Sequence, residues 1–339
     1  MTTIVLFGGT SDERHVSVAS AQNIVRTLGE GLAWFWAPNG AVHDVAHADL
    51  LAHQRPFEVD YEPARPAIFP TLEQALDTLP VDDPVFLLAL HGGTGEDGTV
   101  QRLFEARGIP FTGSDADASA AAFDKDKAKA LVRGRVRIAE SRVARYEHDV
   151  HETIDEMLSR HERIVLKPLA AGSSRGLFFL GRTDDRDAVA QEILARRIPY
   201  IVEQFISGRE LTCGVIDNGL GPFALPVIEI EVDATRAFDY AGKYLGAGTR
   251  EICPANIPED VAKEAQEAAL SAHIALGCDG YSRTDLIAAS DGVYFLETNT
   301  LPGLTTSSLV PQELKVQDIP FREFLETQIA LAQRRLAKV

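Results

Sequence analysis

The chain is poor in cysteine, poor in positive charge and without any long apolar run. Its three cysteines, Cys213, Cys253 and Cys278, are far apart and form no CxxC pair. They give neither a disulfide framework nor a zinc site, and they suit a reducing cytoplasm. Lys and Arg number 33 against 50 Asp and Glu, a formal net charge of −17. A nucleic-acid partner needs clustered positive charge, so any phosphate bound here is held locally. No stretch reaches the roughly twenty apolar residues of a membrane span, and Met1-Thr2-Thr3-Ile4-Val5-Leu6-Phe7 has no basic start and too short an apolar run for a signal peptide. The reading is a protein that neither crosses nor touches a membrane. With 339 residues, 45% of them hydrophobic, it has room for two or three globular domains.

What is present is organised by strands that end in glycine. Ile4–Phe7 runs into Gly8-Gly9-Thr10-Ser11 and then a helical pattern through Val16, Ala19, Ile24, Val25 and Leu28. Residues 40–80 show little periodicity. Val85–Leu90 is a second apolar strand, ending at His91-Gly92-Gly93. In open α/β sheets ligands gather at the carboxyl ends of strands, so both glycine turns are expected to face one crevice. A first unit over 1–114 follows. A helix from about Asp117 to Val132 opens a second unit, 115–206, with strands at Arg163–Pro168, Leu177–Leu180 and Pro199–Glu203. The third unit, 207–339, ends in a helix from about Phe321.

The chemistry concentrates near the C-terminus. Arg283 and Asp285 share one strand face, and Glu297 and Asn299 share a face of the next. The four converge only if Asp285 lies opposite Glu297 and Arg283 opposite Asn299. That parity predicts a three-residue loop, Ser290-Asp291-Gly292, with Gly292 left-handed. Asp285, Glu297 and Asn299 form an oxygen set of the kind that binds magnesium on a nucleotide, with Glu297 able to bridge two ions. An ordinary solvated hairpin face would show similar residues.

Elsewhere, Lys167 precedes the Gly172–Gly176 loop, which reads as a phosphate lid or a plain surface hairpin. It is no Walker A loop, because strand follows it and not helix. Glu203-Gln204-Phe205-Ile206 suits a linker that reads an adenine edge under Phe205, with Glu210 placed for ribose hydroxyls. Lys125, Lys127 and Lys129 read as a solvated helix face unless phosphate ligands are required. Lys243-Tyr244 sits in a Gly-rich stretch that reads as a second lid. Glu13 and His91 follow the two glycine turns and are candidates to grip an amino acid; a Glu at a helix start also complements the dipole.

In order along the chain, Gly8-Gly9-Thr10-Ser11-Asp12-Glu13-Arg14-His15-Val16-Ser17, Leu90-His91-Gly92, Glu96-Asp97-Gly98-Thr99, Lys167-Pro168, Gly172-Ser173-Ser174, Asp239-Tyr240, Lys243-Tyr244 and Glu297-Thr298-Asn299-Thr300 resemble the D-alanine–D-alanine ligase family. The likeness is weakest over 30–80 and 135–160. It implies an ATP-grasp fold of mixed α/β and α+β units behind a Rossmann-like N-terminal domain. It also implies a homodimer, and a reaction in which ATP phosphorylates one D-alanine before the amine of a second attacks.

By that resemblance Lys125, Lys167 and Lys243 hold the phosphates, Glu203, Phe205 and Ile206 the adenine, and Glu210 the ribose. Asp285, Glu297 and Asn299 take two Mg2+ (or Mn2+) ions. Glu13, linked to Ser173 and Tyr244, grips the first amino group, with Val16 and His91 beside the substrate. Arg283 and the Gly303 amide hold the oxyanion, and Ser308 with Leu309 the second carboxylate. Ala171, Arg175, Gln204 and Ala241-Gly242 depart from the family pattern and bear on amino-acid choice. Arg175 adds a cation if it points inward and is a solvated lid residue if it points out. The alternatives are a same-fold ligase joining D-alanine to D-lactate or D-serine or making a specialised dipeptide, and a nucleotide-binding homologue without turnover. Tyr244 favours an amine acceptor. A dinucleotide-dependent dehydrogenase is disfavoured, because Gly8-Gly9-Thr10 lacks GxGxxG.

Overall fold

A computed structural model describes residues 2–145, 149–170, 176–232 and 249–336. The first sheet is β1 (Thr2–Gly8), β2 (Leu32–Trp36), β3 (Val42–Val45) and β4 (Pro84–Leu88), in the order β3-β2-β1-β4. β1 runs parallel to β2 and β4, and Ile4, Val5, Leu6 and Phe7 are wholly buried, as expected of a parallel strand covered on both faces. Gly8 ends β1 at φ 94°, where an added Cβ would lie 2.4 Å from the Trp36 carbonyl oxygen. The chain then turns into the helix Arg14–Leu28, which starts at Glu13. The aperiodic 40–80 region holds β3 and two short helices, His47–Ala52 and Leu72–Asp77.

The expected helix from 117 to 132 is two helices, Ala116–Phe123 and Lys125–Val132. The break is at Asp124, whose backbone is extended and whose carboxylate accepts the N–H groups of Asp126 and Lys127 at 3.1 Å each. An aspartate in that pose caps a new helix and does not continue the old one. Lys125–Val132 packs through Ala128 and Val132 onto Phe295 and Leu276 of the C-terminal part of the chain.

β5 (Arg137–Ile138) lies at the edge of the largest sheet. A smaller sheet follows, β6 (Ser141–Ala144), β7 (Arg163–Pro168), β8 (Phe178–Gly181) and β9 (Tyr200–Gln204), in the order β6-β9-β7-β8. Helices Val150–Arg160 and Arg186–Arg196 supply Ile154, Met157 and Ile193 to its core. The large sheet takes β10 (Arg209–Asp217), β11 (Pro222–Ala224), β12 (Ile228–Val232), β13 (Thr249–Ile252), β14 (Tyr281–Ala289) and β15 (Gly292–Asn299), in the order β13-β12-β10-β14-β15-β5 with β11 on β10. Helix Glu259–Ala275 covers one face with Ala265 and Ala269, small residues that let helix and sheet approach closely.

The β14–β15 hairpin corrects one expectation and supports another. Asp285 does lie opposite Glu297, and Arg283 opposite Asn299. The loop, however, has two residues: Ala289 pairs with Gly292, and neither Ser290 nor Asp291 has a positive φ. That register alone would set Asp285 opposite Leu296. A β-bulge between Asp285 and Leu286 inserts Leu296 as the extra residue and shifts the ladder by one. Phe295, opposite Leu286, is thereby buried, while Glu297, two residues on, faces the other side.

The first sheet's core does not stop at its own boundary. Leu301, Leu304, Phe324, Leu325 and Ile329 join Ile4, Val25, Phe86 and Phe104 in one buried cluster. Among the described residues no helix is long and apolar enough to cross a membrane.

Candidate active site

Between the small and large sheets lies a line of paired charges. Lys125, at the start of its helix, is 6% exposed and reaches Glu297 Oε2 at 3.1 Å. Lys167, at the end of β7, pairs with Glu203 Oε2 at 2.6 Å. Lys129, one helical turn after Lys125, pairs with the other Glu203 oxygen and donates to the Ala139 carbonyl at 3.3 Å. Burial pushes the Glu203 carboxyl up, but the two lysines outweigh it and hold the group below its ordinary range. Of the three helix lysines, only Lys127 is solvated. Lys129 is thus a site residue that sequence reading missed, although its i,i+4 spacing from Lys125 was a signal.

Phe205 follows β9, with the Arg163 guanidinium 4.1 Å from its ring centroid and Phe179 at its edge. Ile206 is half-buried next to it, and Glu210 enters β10 opposite Ile287.

On β14, Arg283 grips Asp285 in a bidentate pair, Nε to Oδ1 and Nη2 to Oδ2 at 2.9 Å each. Thr212, directly across on β10, donates to Asp285 Oδ1 at 2.7 Å and fixes that carboxylate further. Asn299 Oδ1 accepts the Leu301 N–H at 2.9 Å. Two carboxylates and an amide on one sheet face are an all-oxygen set, and this donor chemistry fits a hard divalent cation that draws its remaining ligands from water and phosphate.

The first sheet supplies the other wall. Glu13 sits against Gly92, where a Cβ would lie 3.3 Å from its carboxylate. Ser11 Oγ donates to the His91 carbonyl at 2.5 Å, joining the two glycine turns. Both ring nitrogens of His91 are engaged within the protein. Nδ1–H donates to the Leu301 carbonyl at 2.9 Å, and Nε2 accepts from the Ser20 hydroxyl at 3.0 Å. Ser20 Oγ in turn accepts the Leu304 N–H at 3.1 Å. Burial pulls His91 down to about 4, so the ring is neutral and props the 301–304 segment that carries Gly303.

Glu96 was also missed as a site residue. It is buried 3.9 Å from the His91 ring, and its Oε1 has no hydrogen-bond partner. Burial first, and then the charge of Glu13, push its carboxyl up to about 8. Gly303 packs against Ser308, where a Cβ would lie 2.6 Å from the hydroxyl, and Val16 Cγ1 is 3.8 Å from the same point. Ser308 shares a hydrogen bond with Thr305 at 2.7 Å, and Leu309 packs on Ile228 and Ile230. Ser173, Lys243 and Tyr244, with Ala171, Arg175, Ala241 and Gly242, lie outside the described residues.

The D-ala D-ala ligase N-terminus family matches residues 2–114, and the D-ala D-ala ligase C-terminus family matches 136–330. A D-alanine–D-alanine ligase of Syntrophobacter fumaroxidans is 36% identical over 335 residues, covering 98% of this chain and 97% of that one. Among solved structures, the VanG D-Ala:D-Ser ligase from Enterococcus faecalis is 29% identical with a TM-score of 0.81, covering 98% and 99%. The D-alanine–D-alanine ligase from Bacillus anthracis complexed with ATP is 25% identical with a TM-score of 0.75, covering 100% and 98%. The architecture is the ATP-grasp fold of these neighbours, behind an α/β N-terminal part. With matches in order over nearly its whole length, the chain belongs to the D-alanine–D-alanine ligase family.

Proposed function

We propose that this protein joins two D-alanine molecules at the expense of ATP, giving D-alanyl-D-alanine, ADP and phosphate for peptidoglycan synthesis. The observation that carries the reading is the line of charges Lys129–Glu203–Lys167 and Lys125–Glu297, beside Arg283–Asp285. A free carboxylate is a poor electrophile. One oxygen of the first D-alanine carboxylate attacks the γ-phosphorus, ADP leaves, and the acyl phosphate becomes the electrophile. The amine of the second D-alanine attacks its carbonyl carbon, loses a proton, and phosphate departs with its bonding pair.

Each group has a role in this scheme. Lys125 and Lys167, with Lys243, neutralise the phosphates. Glu203, Phe205 and Ile206 frame the adenine and Glu210 takes the ribose. Glu13 holds the first ammonium beside Val16, linked to Ser173 and Tyr244. Arg283, aimed by its bidentate Asp285, and the Gly303 amide stabilise the oxyanion, where preorganised donors lower the barrier most. Ser308 and Leu309 receive the second carboxylate. Asp285, Glu297 and Asn299 would hold Mg2+ (or Mn2+), which when bound neutralises charge on the phosphate oxygens. The units 1–114, 115–206 and 207–339 meet at this crevice, in a cytoplasmic homodimer.

The test is ADP release by the purified protein with Mg-ATP across a panel of D-amino and D-hydroxy acids, with product identified by mass. D-alanine alone is expected to support turnover and to give the dipeptide. Turnover only with another acid, or none with any, would replace the reading.

A further inference from the structure

Glu203 has two oxygens and each is paired with a lysine, but the two lysines are not equivalent. Lys167 stands at the open end of β7 with its side chain 14% exposed. Lys129 lies within a helix at 2% exposure, tied also to the Ala139 carbonyl. Val165 is the register partner of Glu203, and Lys167 is two residues further along the same strand face. When a polyphosphate enters, Lys167 is the cation able to turn toward it, and doing so vacates Glu203 Oε2. Lys129, buried and held also by the Ala139 carbonyl, stays on the other oxygen. A buried carboxylate that lost both partners would take up a proton or swing away, because an unpaired charge is not held in the interior.

We infer that Lys129 is a positioning residue for nucleotide choice, keeping Glu203 charged and in place after Lys167 turns to the phosphates, so that the site takes a 6-amino purine and rejects a 6-oxo one. The inference rests on the placement of Glu203 at the adenine proposed above. An ionised carboxylate accepts hydrogen bonds and donates none. It therefore matches the amino group of ATP and opposes the carbonyl oxygen of GTP. Without the Lys129 charge, Glu203 becomes a protonated or displaced group and that opposition is lost.

Steady-state kinetics with ATP and with GTP test this in the full-length protein and in K129M, K129R, E203Q and the double variant K129M/E203Q. K129M is expected to raise KM for ATP about tenfold or more, the size of one charge-assisted hydrogen bond, with a smaller effect on kcat. The ATP-over-GTP preference shrinks by a similar factor, and K129R restores most of it. The double variant matches E203Q alone in its ATP-over-GTP preference, because Lys129 acts on the purine only through that carboxylate. It also removes both buried charges together, so it reports even if K129M fails to fold. Unchanged KM and preference in K129M, or a double variant less selective than E203Q, overturns the role of Lys129 alone. An E203Q protein that keeps the full ATP preference removes the adenine placement and the inference with it.

Discussion

Lys125, Lys127 and Lys129 carry the same charge on one helix, yet Lys125 and Lys129 are buried and Lys127 is solvated. The helical period explains it: 125, 128, 129 and 132 form one stripe, and Ala128 and Val132 on that stripe are core. Charge hid what spacing showed. His91 was legible as a residue of the crevice, but its hydrogen-bond partners come from residues 20 and 301, which no local pattern predicts. Its neutrality has a measurable consequence. Its folded value of about 4 is below the unfolded ~6.5, so between these values the unfolded chain binds more protons and stability falls as pH falls. Glu96, uncharged below about 8, offers no compensating anion. His91→Asn keeps a donor for Leu301 and does not titrate. Urea unfolding at a series of pH values is expected to show the parent losing up to about 3 kcal/mol relative to the variant from pH ~6.5 to ~4, with parallel curves above that window. Parallel curves throughout would mean that His91 charges freely in the folded state.

At the scale of the element, the β14–β15 hairpin shows why a correct pairing can be reached by the wrong route. Convergence of the polar side chains required Asp285 opposite Glu297, and that much was readable from alternation alone. Whether the extra residue sits in the loop or in the strand was not readable, because both give the same pairing at the site. The distinction lies in Phe295: with the bulge at Leu296 it faces the core, whereas a regular strand would place it on the face of Glu297. Gly292 closes the two-residue turn at φ 139°, and a Cβ there would lie 2.5 Å from Arg137 Nε. Gly292→Ala is therefore expected to lower unfolding free energy by about 1–3 kcal/mol through backbone strain. KM for ATP stays near the parent value, because the bulge, four pairs from the turn, still sets the register of Asp285 and Glu297. A variant as stable as the parent in chemical denaturation would show that the turn relaxes without cost.

Across the whole molecule, the strand-and-glycine rhythm marked where the first sheet ends, but not what holds it to the rest. The joining contacts are side-chain meetings far apart in sequence, such as Leu304 and Phe324 within the cluster that contains Ile4. Arg335, near the end of the last described helix, is one of the polar links at that joint, beside those from His91 and Asn23 to the 301–304 segment. It donates to the Gly113 carbonyl at 2.7 Å and the Phe111 carbonyl at 2.6 Å, and its guanidinium lies 4.3 Å from the Phe111 ring centroid. Both carbonyls lie at the end of the N-terminal family match, 2–114, so this side chain ties that part of the chain to the last helix. Arg335→Ala is expected to cost about 2–4 kcal/mol in urea unfolding, from two charge-assisted hydrogen bonds and a cation–π contact. It should also raise KM for D-alanine more than KM for ATP, because the amino-acid crevice proposed above spans the joint while the proposed nucleotide groups lie between the other two sheets. Arg334→Ala, at an exposed neighbour, should stay within about 0.5 kcal/mol of the parent. Equal losses at both positions would mean that helix end-effects, and not this clasp, account for the loss.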